Sequence, residues 1–154
     1  MSSLNDVSGA TDLYVYYKGN YKYQLAKPYI ASVLELENHP PAHIRSDGGF
    51  AFVSLQPDGS LLINEGYAWD GASGPARDTN NIMRASLVHD ALYQLGRAGK
   101  LNYSRRKAAD QAFHRICLED GMSRFRAWYV YRAVRMFAAK SFTDPSTRPL
   151  QEAP

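Results

Sequence analysis

The sequence predicts an α+β fold, a small antiparallel β-sheet in the N-terminal half packed beside a three-helix C-terminal half. Three observations lead there. Apolar runs before Gly66 are short and divided by turn residues, and runs after Gly66 take the longer period of amphipathic helices. The two regimes do not alternate, which argues against repeated βαβ units. The 154 residues suit one domain, since domains commonly hold roughly 100–200 residues. It is expected over residues 13–140, between a polar, flexible start at 1–12 and a proline-rich, flexible tail at 141–154.

The elements follow in order. Residues 13–17 and 21–25 are aromatic-rich runs separated by Lys18, Gly19 and Asn20, a hairpin pattern. Residues 29–36 form a third apolar run. His39, Pro40 and Pro41 then interrupt regular structure, because proline lacks the ladder donor. Residues 50–55 alternate, and Pro57, Asp58 and Gly59 turn the chain into the run 61–64. Asp78 or Thr79 can cap a helix from Asn80 to Leu95, stopped by Gly96. Ser104 can cap a second helix to Asp120, stopped by Gly121, and a third runs from Met122 to Lys140. There is no internal repeat.

Composition narrows the function classes. A lone Cys117 excludes an intrachain disulfide, so the fold needs no oxidising compartment. No stretch approaches the ~20 apolar residues of a membrane-spanning helix. The first residues lack the basic start and apolar stretch of a secretory signal, and synthesis in a reducing cytoplasm is the expectation. The net charge of +3 is unevenly spread, with eleven Lys/Arg against three acidic residues from Arg97 to Lys140. Such a half suits either a solvated helix face or an anionic partner.

The residues that carry chemistry sit on the first two predicted helices. Helical spacing places Ser86, His89, Asp90 and Tyr93 along one strip. On the second helix Asp110 falls within the apolar stripe of Ala109, Phe113, Ile116 and Cys117, so it needs a partner. His89 is that partner if the helices are antiparallel, as their short connection favours. An Asp–His pair fixes one imidazole tautomer and frees the other nitrogen to take a proton. Asp90 projects elsewhere and can hold a hard cation beside the imidazole. The glycine-rich segment 66–75 before it can aim carbonyls at a cation or amides at an oxyanion. Calcium accepts carboxylate and backbone oxygens, whereas zinc prefers His and Cys. The plain alternative is that His89 and Asp110 bridge the helices structurally.

Other groups offer less. His114, one turn after Asp110, would allow a transition-metal site or be solvated. His39 and His43 fall in loops, and Cys117 belongs to the core. Ser73 and Ser86 are nucleophiles only if His89 reaches them, and Ser86 on the same helix is poorly placed. The third helix mixes Arg124, Arg126, Arg132 and Arg135 with Trp128, Tyr129, Tyr131 and Phe137. Basic plus aromatic suits an anionic membrane or nucleic acid. Packing in the core is the expectation for Trp128 and Tyr131.

The ordered set of a WDGAS-x-P loop, an A-S-x-x-H-D-x-x-Y helix and an A-D-x-x-F helix resembles a family of phage- and prophage-encoded proteins known as domain of unknown function 1353. With Tyr131–Arg135 of the third helix, the resemblance covers about residues 50–137. It implies a phage gene product, packaged in or attached to a virion or acting free, and no settled activity. The same helices are more distantly similar to phospholipases A2, above all the parvoviral type, whose sequences show an ADQ-x-F run like Ala109 to Phe113. That resemblance implies a calcium-dependent lipid hydrolase. His89 would activate water, Asp110 would orient it, and Tyr93 would hydrogen-bond Asp110. Asp90 would ligate Ca2+ with backbone carbonyls of loop 67–74, Gly71 among them. WDGASGP departs from the usual calcium loop and adds Asp70, which would ligate metal or cap a turn. Trp69, Ser73, Arg124 and Arg126 are the expected substrate or partner surface. Phospholipid or other phage proteins are the expected partners, ahead of nucleic acid. A non-catalytic structural or accessory protein is the competing function.

Overall fold

The computed structural model describes residues 17–18, 23–45, 51–69, 71 and 79–143, with strands first and helices after. The expected α+β architecture is present, but the strands form two sheets where one was expected. β1 (Tyr17–Lys18), β2 (Tyr23–Leu25) and β7 (Ala68–Trp69) pair antiparallel in the order β1-β2-β7. β3 (Tyr29–Ser32), β4 (Ala42–Arg45), β5 (Ala51–Leu55) and β6 (Ser60–Ile63) pair antiparallel in the order β3-β6-β5-β4. The chain bends between the sheets at residues 26–28, where Pro28 has no N–H to give a ladder.

Local chemistry explains most boundaries. The β5–β6 turn places Gly59 at φ +86°, and the Asp58 carboxylate accepts the Ser60 N–H at 2.8 Å. A Cβ on Gly59 would meet the Val33 carbonyl oxygen at 2.6 Å, so glycine is required there for space as well as conformation. The third apolar run leaves its strand at Ser32 and tightens into a 3₁₀ turn at Leu34–Leu36. Arg115 holds that corner by donating to Glu35 and to the Ser32 carbonyl. β4 and β7 are additions to the expected strands. Each is short, and β4 gains its place by pairing Ala42 with Leu55 and Ile44 with Val53.

α1 (Asn80–Arg97) runs through Gly96 instead of stopping there. Gly96 is where the ring of Phe142 lies, and a Cβ would come within 2.7 Å of it. α2 (Arg106–Glu119) follows a 3₁₀ turn at Tyr103–Arg105, where the Asn102 side chain accepts the Ser104 N–H. α3 (Arg124–Phe137) begins at Ser123, whose hydroxyl accepts the Arg126 N–H. A short α4 (Ala139–Thr143) follows. It corrects the expected tail: Ser141 to Thr143 are helical, and Phe142 is buried against Tyr93 and Tyr103. The rest of the tail, the start at 1–12 and the β1–β2 turn lie outside the described residues. No described helix is long and apolar enough to cross a membrane.

α1 is buried on nearly every face, as a helix at the centre of a core must be. Leu87, Val88, Leu92 and Leu95 join Leu55, Leu61 and Ile63 of the sheet and Ala109, Ala112 and Ile116 of α2 in one apolar cluster. Arg84 reaches Asp120, His89 reaches Asp110, and Tyr93 meets Arg106. Rising numbers on α1 against falling numbers on α2 make the pair antiparallel.

Candidate functional site

The centre of the site is Asp110, whose side chain is 0 % exposed. Its Oδ1 accepts from His89 Nε2 at 2.7 Å and from the Tyr93 hydroxyl at 2.6 Å. Its Oδ2 accepts from Arg135 NH1 at 2.7 Å and has Arg106 NH2 at 3.8 Å. Burial is the largest influence on this carboxyl and opposes its ionisation. The hydrogen bonds from His89, Tyr93 and Arg135 outweigh burial and hold the group below the usual carboxylate range. Burial and the Asp110 charge together push the Tyr93 phenol far above its ordinary value, so it serves as a donor.

The surrounding helices fix these groups by simple spacing. His89 and Tyr93 are one turn apart on α1, with ring centroids 4.0 Å apart, and Phe113 of α2 flanks the imidazole at 5.1 Å. Arg106 precedes Asp110 by one turn of α2. Its Nε donates to the Tyr93 oxygen at 3.0 Å, and its NH2 donates to the carbonyls of Val134 and Arg135 at 2.9 Å. A guanidinium there meets the negative end of α3, where carbonyls run out of helical partners. Three helices are thus tied to one carboxylate.

His89 spends Nε2 on Asp110, and Nδ1 has no hydrogen-bond partner among the described residues. The side chain is 14 % exposed. The imidazole is thus tied to the cluster through one nitrogen while its side chain keeps some contact with solvent, as does Arg135 at 32 %.

The neighbouring expected residues have other engagements. Asp90 is buried and accepts from the Tyr67 hydroxyl at 2.6 Å. Tyr67 is seated by the backbone, its carbonyl accepting from Leu25 N–H while Gly66 N–H donates back to Leu25. Trp69, expected at a surface, is 3 % exposed, and its indole N–H donates to Ser86 Oγ at 3.1 Å. The Ser86 hydroxyl donates in turn to the Met83 carbonyl, so it has a structural task. Gly71 is described, at φ +76°, whereas Asp70 and Ser73 lie outside the described residues.

Arg124 is exposed, and Arg126 is held by Thr79 and Asn81. His114 packs its ring against Tyr131, and no group of three or more His, Cys, Asp or Glu suited to a metal occurs among the described residues. His43 bonds Ser54 within the sheet, and Cys117 is buried. Trp128, expected in the core, is turned to solvent, because α3 buries Ala127 and Val130 instead.

Sequence reasoning missed Arg106, Arg135 and Tyr67. Arg106 was legible as the residue one turn before a buried aspartate, and Arg135 closes the Tyr131–Arg135 motif.

Comparison with curated proteins gives no match, and comparison with solved structures gives none. The family described as Protein of unknown function (DUF1353) matches residues 52–134, a span that holds every member of the Asp110 cluster but Arg135. The chain belongs to this phage- and prophage-associated family of unknown function.

Proposed function

We propose that this chain is a non-catalytic structural or accessory protein of a phage or prophage, and that the Asp110 cluster is the cross-link of its helices. The observation that carries this reading is the saturation of Asp110. Both oxygens are engaged, and two arginines balance the carboxylate charge. A carboxylate so compensated is suited to holding α1, α2 and α3 together, and less to driving proton transfer.

One observation favours a second reading, a calcium-dependent hydrolase like phospholipase A2. Nδ1 of His89 is left without a described partner, on a side chain that solvent reaches. In that reading Nδ1 takes the proton of an attacking water while Asp110 holds the tautomer and Tyr93 holds Asp110. Calcium takes six to eight oxygen ligands. Of the expected ligands, Asp90 and Gly71 are described and Asp70 is not, so the described residues do not by themselves make that site.

One experiment separates the readings. Native protein and His89→Ala are incubated with mixed phospholipid vesicles, with calcium or with chelator, and fatty acid release is measured alongside thermal melting. The cross-link predicts no release, and a loss of about 1–3 kcal/mol in the variant from an orphaned buried partner. Calcium-dependent release that His89→Ala abolishes would overturn it in favour of the hydrolase.

A further inference from the structure

α3 turns an unusual face to solvent. Phe125 is 73 % exposed, Trp128 56 % and Met136 67 %. Helical spacing puts all three on one side with Arg132 between them, opposite the buried Ala127 and Val130. The rings are already ordered: Phe125 stacks on Trp128 at 6.2 Å and meets Tyr129 edge-on at 5.7 Å. α3 has no acidic residue. Arg126 and Arg135 are committed to partners within the protein. Arg124 and Arg132 make no ion pair or hydrogen bond with the described residues. The two acidic residues that precede the helix, Glu119 and Asp120, are occupied by Arg84 and Arg115.

From this face we propose that α3 docks on an anionic lipid surface, lying along it with Phe125, Trp128 and Met136 inserted and Arg124 and Arg132 at the headgroups. The charge selects the partner class. An isologous pairing of two copies through this face would bring Arg132 and Arg124 toward their own copies without a carboxylate on α3 to offset them. Nucleic acid needs many phosphate contacts, and only two arginines of α3 are uncommitted, beside three large apolar groups that phosphate would not reward. An anionic bilayer rewards both: apolar side chains enter the headgroup–acyl boundary, and each nearby cation adds attraction. Trp and Phe are favoured at that boundary because their rings are amphipathic or apolar and stiff. The proposal stands whether or not His89 is catalytic, since the face and the imidazole are different groups.

The test is flotation of the full chain with vesicles of phosphatidylglycerol and phosphatidylethanolamine, and separately with pure phosphatidylcholine, at low and high salt. Native protein should float with the anionic vesicles and much less with the neutral ones. Arg132→Gln should weaken binding about fivefold, the effect of one surface cation. Phe125→Ser combined with Trp128→Ser should weaken it by at least about tenfold. Both changes lie at exposed positions, and unchanged melting would show that the fold survives. A second readout uses the Trp128→Phe variant. The native chain should blue-shift its fluorescence on anionic vesicles, and this variant, keeping only the buried Trp69, should not. Absence of flotation, or flotation indifferent to these substitutions, would overturn the proposal. So would retention of the face by single-stranded DNA, or dimerisation that the double variant abolishes.

Discussion

Two polar clusters join α1 to α2, and they are built in opposite senses. Toward one end a buried carboxylate, Asp110, is surrounded by donors from three helices. Toward the other a buried guanidinium, Arg84, donates to Asp120, Glu119 and Tyr29. Both hubs are buried, but the least exposed charged partner of each differs. Asp110 has Arg106 beside it at 4 % side-chain exposure and Arg135 at 32 %, whereas both acids of Arg84 meet solvent, Asp120 at 22 % and Glu119 at 43 %. Water can therefore replace what Arg84 gives its acids, and cannot replace what Asp110 gives Arg106. The difference teaches that a hub's importance depends on how wet its partners are.

Substitutions can break that comparison, the most damaging first. Asp110→Ala strands Arg106 in the interior, and urea unfolding should show a loss of about 3–5 kcal/mol. Arg84→Ala removes the other hub but leaves acids that solvent can serve, so about 1–3 kcal/mol is expected. Equal losses in the two variants would show that partner exposure is not the controlling variable. Glu119→Gln should cost no more than about 1 kcal/mol, as an exposed partner does.

Acid sharpens the contrast. Asp110 and Glu119 both have carboxyls depressed by their partners, against burial that would raise them. A depressed folded-state value means the unfolded chain takes up protons first as pH falls. The stability they contribute is present above the ordinary carboxylate value and is lost as pH drops through the depressed one. Melting temperature followed from about pH 5 to about pH 2 should fall, and Asp110→Asn should flatten that fall. High salt should remove much of the Glu119 share and little of the Asp110 share. A fall in melting temperature wholly suppressed by salt would assign it to the exposed acids.

The His89–Asp110 meeting was legible because it needed only helical spacing, a short connection and the cost of burying an unpaired carboxylate. Arg135 is another matter. Its approach depends on how α3 crosses the other two helices, and no local pattern in the sequence encodes a crossing register. The outward turn of Trp128 has the same origin, since which face of an aromatic-rich helix is buried depends on the surface it meets. β4 was hidden for a different reason. Ala42–Arg45 is a strand because β5 offers it a partner, and four residues with two apolar side chains announce little alone. The tail boundary failed at Phe142, whose docking site is the absence of a side chain at Gly96.

Cys117 carries a practical consequence. Burial pushes its thiol up to about 12, so at neutral pH on the order of one molecule in 10⁵ holds the reactive thiolate. The native cysteine is silent to maleimides and similar reagents while the protein is folded. A second cysteine placed on the solvent side of α3 could thus be labelled selectively in the otherwise unaltered chain. Reactivity at Cys117 itself would then report each opening of the helix core.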